Sequence, residues 1–184
     1  MTTTQLQLRR DIAANIEAIT PAQGEPIYDV TNATLRMGDG ATAGGSMLAG
    51  PYAFGAWTPT LSGAGTAGSP TYTIQSGSYE RIGRLIVCRF SVAVSALGGM
   101  AGGVQVGGLP FAAASVSNDA GGGPITALAG VTLDSGYSYA SLQVEPGNNY
   151  AGLVEHGSNK TTQAIAAANL AASSEIAGVV IYHI

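Results

Sequence analysis

The chain has 184 residues, enough for one medium domain or for one domain with a small appendage. Charged residues make up 10% of it, against about 25% in an average soluble chain, and the formal net charge is -4. Lys160 is the single lysine among seven basic residues, so the clustered cations that hold nucleic-acid phosphates are missing, and no apolar run reaches the ~18 residues of a membrane helix.

Hydrophobic residues reach 46%, enough to bury a core. A surface so poor in charge is kept soluble by Ser, Thr, Asn, Gln and Gly, or is covered by other subunits, because charges are depleted at interface cores. The start, Met1-Thr2-Thr3-Thr4-Gln5, lacks a basic patch followed by an apolar stretch, so no signal peptide is expected. Cys88 is the only cysteine, which rules out an internal disulfide. It sits in an apolar strand pattern and reads as a small buried hydrophobe.

The 27 Gly and 8 Pro fall as punctuation between short apolar runs, the mark of many turns and short strands. There is no Gly-X-Y period and no heptad repeat. Residues 1–50 carry Asp11, Glu17, Glu25, Asp29 and Asp39 with Arg9, Arg10 and Arg36, whereas residues 56–184 are Gly/Ala/Ser-rich with sparse charge. The stretch 51–55 between them reads as a linker.

In chain order, Gln5 to Arg9 alternates polar and apolar and predicts a strand. Asp11 to Ile19 predicts a short helix with Ile12, Ile16 and Ile19 on one face, Asp11 at its N-cap and Pro21 as its stop. Pro26–Val30 and Thr34–Met37 predict a hairpin closed tightly at Asn32-Ala33. Gly38-Asp39-Gly40 is a turn. A unit this small cannot bury a core of its own, and identical copies are the economical partner.

Further strands are expected at Thr71–Ile74, Ser78–Ile82, Leu85–Val94, Gly103–Val106, Tyr150–Val154 and Ile176–His183. Ile125–Leu133 and Tyr137–Val144 read as a pair joined at Asp134-Ser135-Gly136. Thr161–Ala172 is Ala-rich, and strand or loop is preferred there over helix. Short strands at this spacing predict a mostly-β chain whose second domain is a β-sandwich or jelly roll.

Two stretches carry a family resemblance. Leu35-Arg36-Met37 followed by Gly38 and the turn Asp39-Gly40-Ala41-Thr42-Ala43-Gly44-Gly45 resembles the N-terminal domain of the phage major tropism determinant. The Gln/Leu/Arg strand, the small Ala-rich helix and Gly24-Glu25-Pro26 precede it in the order seen in phage tail-fibre proteins. Trp57-Thr58-Pro59-Thr60-Leu61, Ser76 to Val87 and Gly108-Leu109-Pro110-Phe111 are similar to a C-terminal module of phage tail-fibre and head-spike proteins.

The resemblance implies a homotrimer with a small β-prism-like base and a β-sandwich head. It implies a virion-surface protein, made in the host cytoplasm, whose N-terminal domain contacts other virion proteins. With no shaft in the chain, a short spike fits better than a long fibre. A decoration or connector protein without a ligand, and a glycan-cleaving spike, are the alternatives.

Little catalytic chemistry is legible. His156 and His183 are isolated, with no metal-ligand spacing, and no Gly-x-Ser-x-Gly elbow or P-loop is present. Of the head-region carboxylates Glu80, Asp119, Asp134, Glu145, Glu155 and Glu175, none has diagnostic neighbours for glycoside hydrolysis. No enzyme activity and no cofactor are expected. Binding has more support. Tyr137 and Tyr139 would share a strand face, and Asn148, Asn149 and Tyr150 follow in a loop. Aromatic faces with amides suit a host-surface polysaccharide, whereas the competing role for the tyrosines is to line a core or a subunit interface.

Overall fold

The computed structural model describes residues 8–48, 51–116 and 121–184. The chain divides into two compact units, Met1–Ala53 with Ile82–Arg84, and Phe54–Arg81 with Leu85–Ile184.

The first unit is a four-stranded sheet in the order β1 (Arg9–Asp11), β2 (Pro26–Asp29), β3 (Thr34–Met37), β4 (Ser46–Met47). β1 and β2 are parallel, so a crossover must join them, and it contains the helix α1 (Ala13–Glu17). Of the strand expected at Gln5–Arg9, residues 5–7 lie outside the described residues. The described β1 begins at Arg9.

The helix differs from its expected form. Asp11 belongs to β1 and Ile12 is the N-cap, although the Asp11 carboxylate still accepts from Ile12 N and from Asn15 Nδ2, each at 2.8 Å. A helix of under two turns offers one inward position, and Ile16 takes it at 1% exposure while Ile12 is 49% exposed. The hairpin turn also differs. β2 stops at Asp29, and Val30–Ala33 form a longer loop in which Asp29 Oδ1 accepts from Thr31 N and Asn32 N. Asp29 thus acts as the turn former, and Ala33 carries the positive φ of 50°.

The buried centre of this unit is small. Ile16 and Ile27 are its buried large apolar side chains, and beside them Arg36 is paired with the fully buried Asp29.

The second unit is built on β5 (Tyr52–Trp57), β6 (Thr60–Gly63), β7 (Thr71–Ile82), β8 (Leu85–Ala96), β9 (Val104–Gly107), β10 (Gly121–Val131), β11 (Tyr139–Val144), β12 (Tyr150–His156), β13 (Gln163–Ala164) and β14 (Leu170–His183). Residues 51–55, expected as a linker, hold most of β5. The strands form one sheet in the order β5-β7-β8-β14-β10-β11-β12-β9-β6, with β13 on β12. The mostly-β class expected from strand spacing is found. The layers expected of a sandwich come from one sheet curled on itself. Alternate residues of β6, β8, β9, β11, β12 and β14 enter a single core, among them Leu61, Ile86, Val92, Val106, Leu142, Leu153, Ile176 and Val180. Register shifts in β10 against β14, with Gly130 at a φ of +67°, supply bends that help such a sheet turn.

β7 is one long strand where two were expected, and Gly77 within it passes directly over the Trp57 indole: a Cβ there would lie 2.5 Å from Trp57 Nε1. Trp57 Nε1–H is shared by the carbonyls of Ser78 and Arg89, both at 3.2 Å, and its ring meets Phe90 edge-on at 6.2 Å. The Ala-rich 161–172 stretch is not an α-helix. It holds β13, a 3-10 turn at Ala167–Asn169 and the start of β14, with Ile165, Ala167 and Leu170 turned into the core.

Candidate functional site

The turn motif of the first unit is built to be rigid. Asp39 Oδ1 accepts from Ala41 N at 2.9 Å and Thr42 N at 2.7 Å, and Oδ2 accepts from the Thr42 hydroxyl. The hydroxyl, then the two amides, hold the Asp39 carboxyl down at about 2. Gly44, at a φ of +77°, donates to Ile19 O at 2.8 Å and so ties the turn to the end of the helical segment. Gly38 is dictated by space, since a Cβ would sit 2.1 Å from Ala22 O. Asp39, Gly40, Ala41, Thr42, Ala43, Gly44 and Gly45 therefore make a folded clip, and the bonds they form are internal to this unit.

The five residues expected to contact a sugar do not converge. β11 and β12 form a hairpin with Tyr139 opposite His156 and Gln143 opposite Gly152. Tyr137 and Tyr139 lie at its open end, and Asn148, Asn149 and Tyr150 lie at its turn, roughly 20 Å away at ~3.3 Å per residue. Tyr137 is also outside the strand: its amide closes the turn onto Asp134 O and its hydroxyl donates to Thr161 O at 2.9 Å. The Asn148 and Asn149 carbonyls anchor the 109–113 segment by accepting from Ala113 N and Leu109 N.

Two features on the outer side of the hairpin went unseen in the sequence. At the open end, the Tyr139 ring stacks on His156 with centroids 4.7 Å apart and planes 14° apart. His156 is held from both sides, Nε2 at 2.8 Å from Ser141 Oγ and Nδ1 at 3.0 Å from Thr162 Oγ1. Tyr139 is 58% exposed, so this is a surface ring fixed in one pose.

Nearer the turn lies a groove of about 170 Å³. Its lining includes Gly103, just before β9, with Gly152 on β12 and Ala164 on β13, which carry little or no side chain. Gln105, Gln143, Glu145 and Tyr150 rise around it, and their side chains make no hydrogen bond to other described residues. Gln143 and Glu145 are legible only once Tyr139 is known to point outward, because the strand period then puts 141, 143 and 145 on the same face.

Buried carboxylates are structural here. Glu155 is fully buried. Its Oε2 accepts from Asp134 N at 3.0 Å and its Oε1 from Gln163 Nε2 at 2.7 Å. Gln163 Nε2 also donates to Asp134 Oδ2 at 2.8 Å, and Asn169 Nδ2 to Asp134 Oδ1 at 2.8 Å. With every one of these oxygens committed, the pair fastens the 134 turn to β12, β13 and the 3-10 turn. Asp119 lies outside the described residues. Among the described residues no cluster of three His, Cys, Asp or Glu is placed to hold a metal, and no helix is long and apolar enough to cross a membrane.

The small sheet with its Asp39 clip is matched by a known family. Residues 6–42 match the major tropism determinant N-terminal domain. The match lies within the first unit and covers about a fifth of the chain, so it says what that N-terminal part is similar to. The particular likeness is to the crystal structure of the Dettilon tailspike protein, at a TM-score of 0.57 and 20% identity, covering 72% of this chain and 24% of that one. The chain therefore spans about a quarter of that spike's length, and at this identity the likeness is one of fold. No curated protein matches this chain.

Proposed function

We propose that the chain is the subunit of a short homotrimeric spike or fibre, on which the N-terminal unit joins copies and other virion proteins and the larger unit binds host-surface glycans. The observation that carries this reading is the N-terminal unit itself. It matches a phage tropism-determinant domain, and it buries Ile16 and Ile27 while Ile12, Tyr28, Val30, Met47 and Leu48 stay 40–56% exposed. Apolar side chains at that density on so small a unit are what a shared core would cover. A β-prism-like base is the form three such sheets would take together. The larger unit also exposes an apolar side chain on its central strands, where the 43% exposed Ile181 lies beside the half-buried Val87.

The domain division that goes with this reading is an attachment and trimerisation part at 1–50 and a head at 56–184. Location on the tail accords better than a capsid site with the match to the tropism-determinant domain and the likeness to a tailspike.

Light scattering on the purified chain tests the assembly. A mass near three times 18.4 kDa that persists on dilution is the expected result. A stable monomer overturns the trimeric spike. Binding of the labelled protein to immobilised bacterial polysaccharides tests the glycan role. A trimer that binds none of them would be the connector without a ligand, and one that lowers polysaccharide viscosity would be a glycan-cleaving spike.

A further inference from the structure

We propose that the groove between β9, β11 and β12 is a subsite for one neutral sugar residue of a polysaccharide, and that the chain of the sugar runs along the hairpin to Tyr139. This rests on the glycan-binding reading and adds to it the site and the charge class of the ligand.

The groove has the make-up a sugar requires. Its floor is open because Gly152 and Gly103 carry no side chain and Ala164 only a methyl group, and Tyr150 forms an aromatic wall against which ring C–H groups pack. Gln105 and Gln143 present amides that can both donate to and accept from hydroxyls, and neither is occupied by another described residue. A volume of about 170 Å³ suits one pyranose ring and excludes a bulky aromatic ligand with substituents.

The charge pattern sets the class. Glu145 is the acidic side chain on the groove wall, and among the described residues no Lys, Arg or His lines it. A uronate or sialate carboxylate placed there would meet a like charge without a compensating cation, which selects against it. Lys160 lies over the Tyr137 ring at 5.6 Å, at the other end of the hairpin, too far along the strand to serve the groove. Neutral hexoses and N-acetylated hexosamines carry only the hydroxyls and amides that Gln105, Gln143 and Glu145 can bond.

Tyr139 extends the site. Its ring lies four residues along β11 from Gln143, roughly 13 Å, on the same outward row. One ring face is taken by His156, itself pinned by Ser141 and Thr162, and the ring as a whole remains 58% exposed. An aromatic platform already fixed in place loses little conformational freedom when a sugar stacks on it.

The experiment uses the full chain on an immobilised panel of neutral oligosaccharides (glucose, galactose, mannose and N-acetylglucosamine oligomers) and acidic ones (sialate and uronate oligomers). Two variants accompany it. Gly152→Val fills the groove from its floor, where a Cβ would meet only Gln143 O at 3.7 Å, so the strand keeps its fold. Tyr139→Ala removes the platform. The expected result is binding to members of the neutral set, lowered by about tenfold or more in each variant, with Trp57 fluorescence unchanged. Glu145→Gln should raise binding of uronates relative to neutral sugars. If the wild type binds glycans and both variants bind them equally well, the site is elsewhere and this inference falls while the glycan role stands. If the wild type prefers the acidic set, the charge class is wrong. If it binds neither set, the glycan reading itself fails.

Discussion

Arg36 donates from both Nε and Nη2 to one carboxylate oxygen of Asp29, at 3.2 and 2.9 Å, and the two residues are buried together at the centre of the N-terminal sheet. The other Asp29 oxygen caps the hairpin loop. One carboxylate therefore neutralises the buried Arg36 and shapes the turn of this unit. Asp29→Asn should cost about 3–5 kcal/mol, because it strands a buried guanidinium. Hydrogen exchange of amides 26–37 in the full chain checks this. Protection there should fall by orders of magnitude, and undiminished protection would mean that Glu17, 3.5 Å from Arg36, suffices as counter-ion.

Asp39 gives a pH dependence. Its carboxyl is held at about 2, below the ordinary 3.8, by the Thr42 hydroxyl and the amides of Thr42 and Ala41. A depressed folded value stabilises the turn above pH 3.8, and that contribution is lost as the pH falls through about 2. The Thr42 amide resonance should titrate with a midpoint near 2. A midpoint near 4 would mean that the clip is open in solution.

Glu155→Ala should lower the stability of the larger unit by about 3 kcal/mol, because Asp134 N–H loses its acceptor and Gln163 loses one of two. Glu155→Gln, which keeps the volume and one acceptor oxygen, should cost roughly 1 kcal/mol. Thermal melts followed at Trp57 measure both. Equal losses would assign the effect to charge and not to the hydrogen bonds.

Cys88 should be silent toward thiol reagents in the native protein. It is fully buried between β14 and β7, and burial pushes its thiol up to about 11, so the thiolate is scarce at neutral pH. A disulfide-exchange reagent should react only on unfolding, with a rate that follows loss of the Trp57 signal. Fast labelling of the native chain would mean that β8 opens locally.

Much of the fold was legible because its signals are local. The alternation Ile86, Cys88, Phe90, Val92, Val94 points one side of β8 inward whatever the rest of the chain does, and the Gly/Pro punctuation separates most of the strands. The Asp39 turn was legible for the same reason: its bonds span two or three residues, so its sequence is nearly its structure. The charge deficit, too, is a property of composition.

The sequence could not decide what depends on partners far along the chain. That one sheet curls around the core, and not two sheets stacked, follows from β14 pairing with both β8 and β10 while β12 pairs with β9. Those pairings join residues as far apart as Leu85 and His183, and strand period says nothing about them. The same holds for the binding face. Tyr137 and Tyr139 share a spacing that promised one surface, but a turn held by Asp134 takes Tyr137 off the strand. The groove exists because Gly152 on β12, Ala164 on β13 and Gly103 just before β9 line one surface, an arrangement that only the tertiary structure creates.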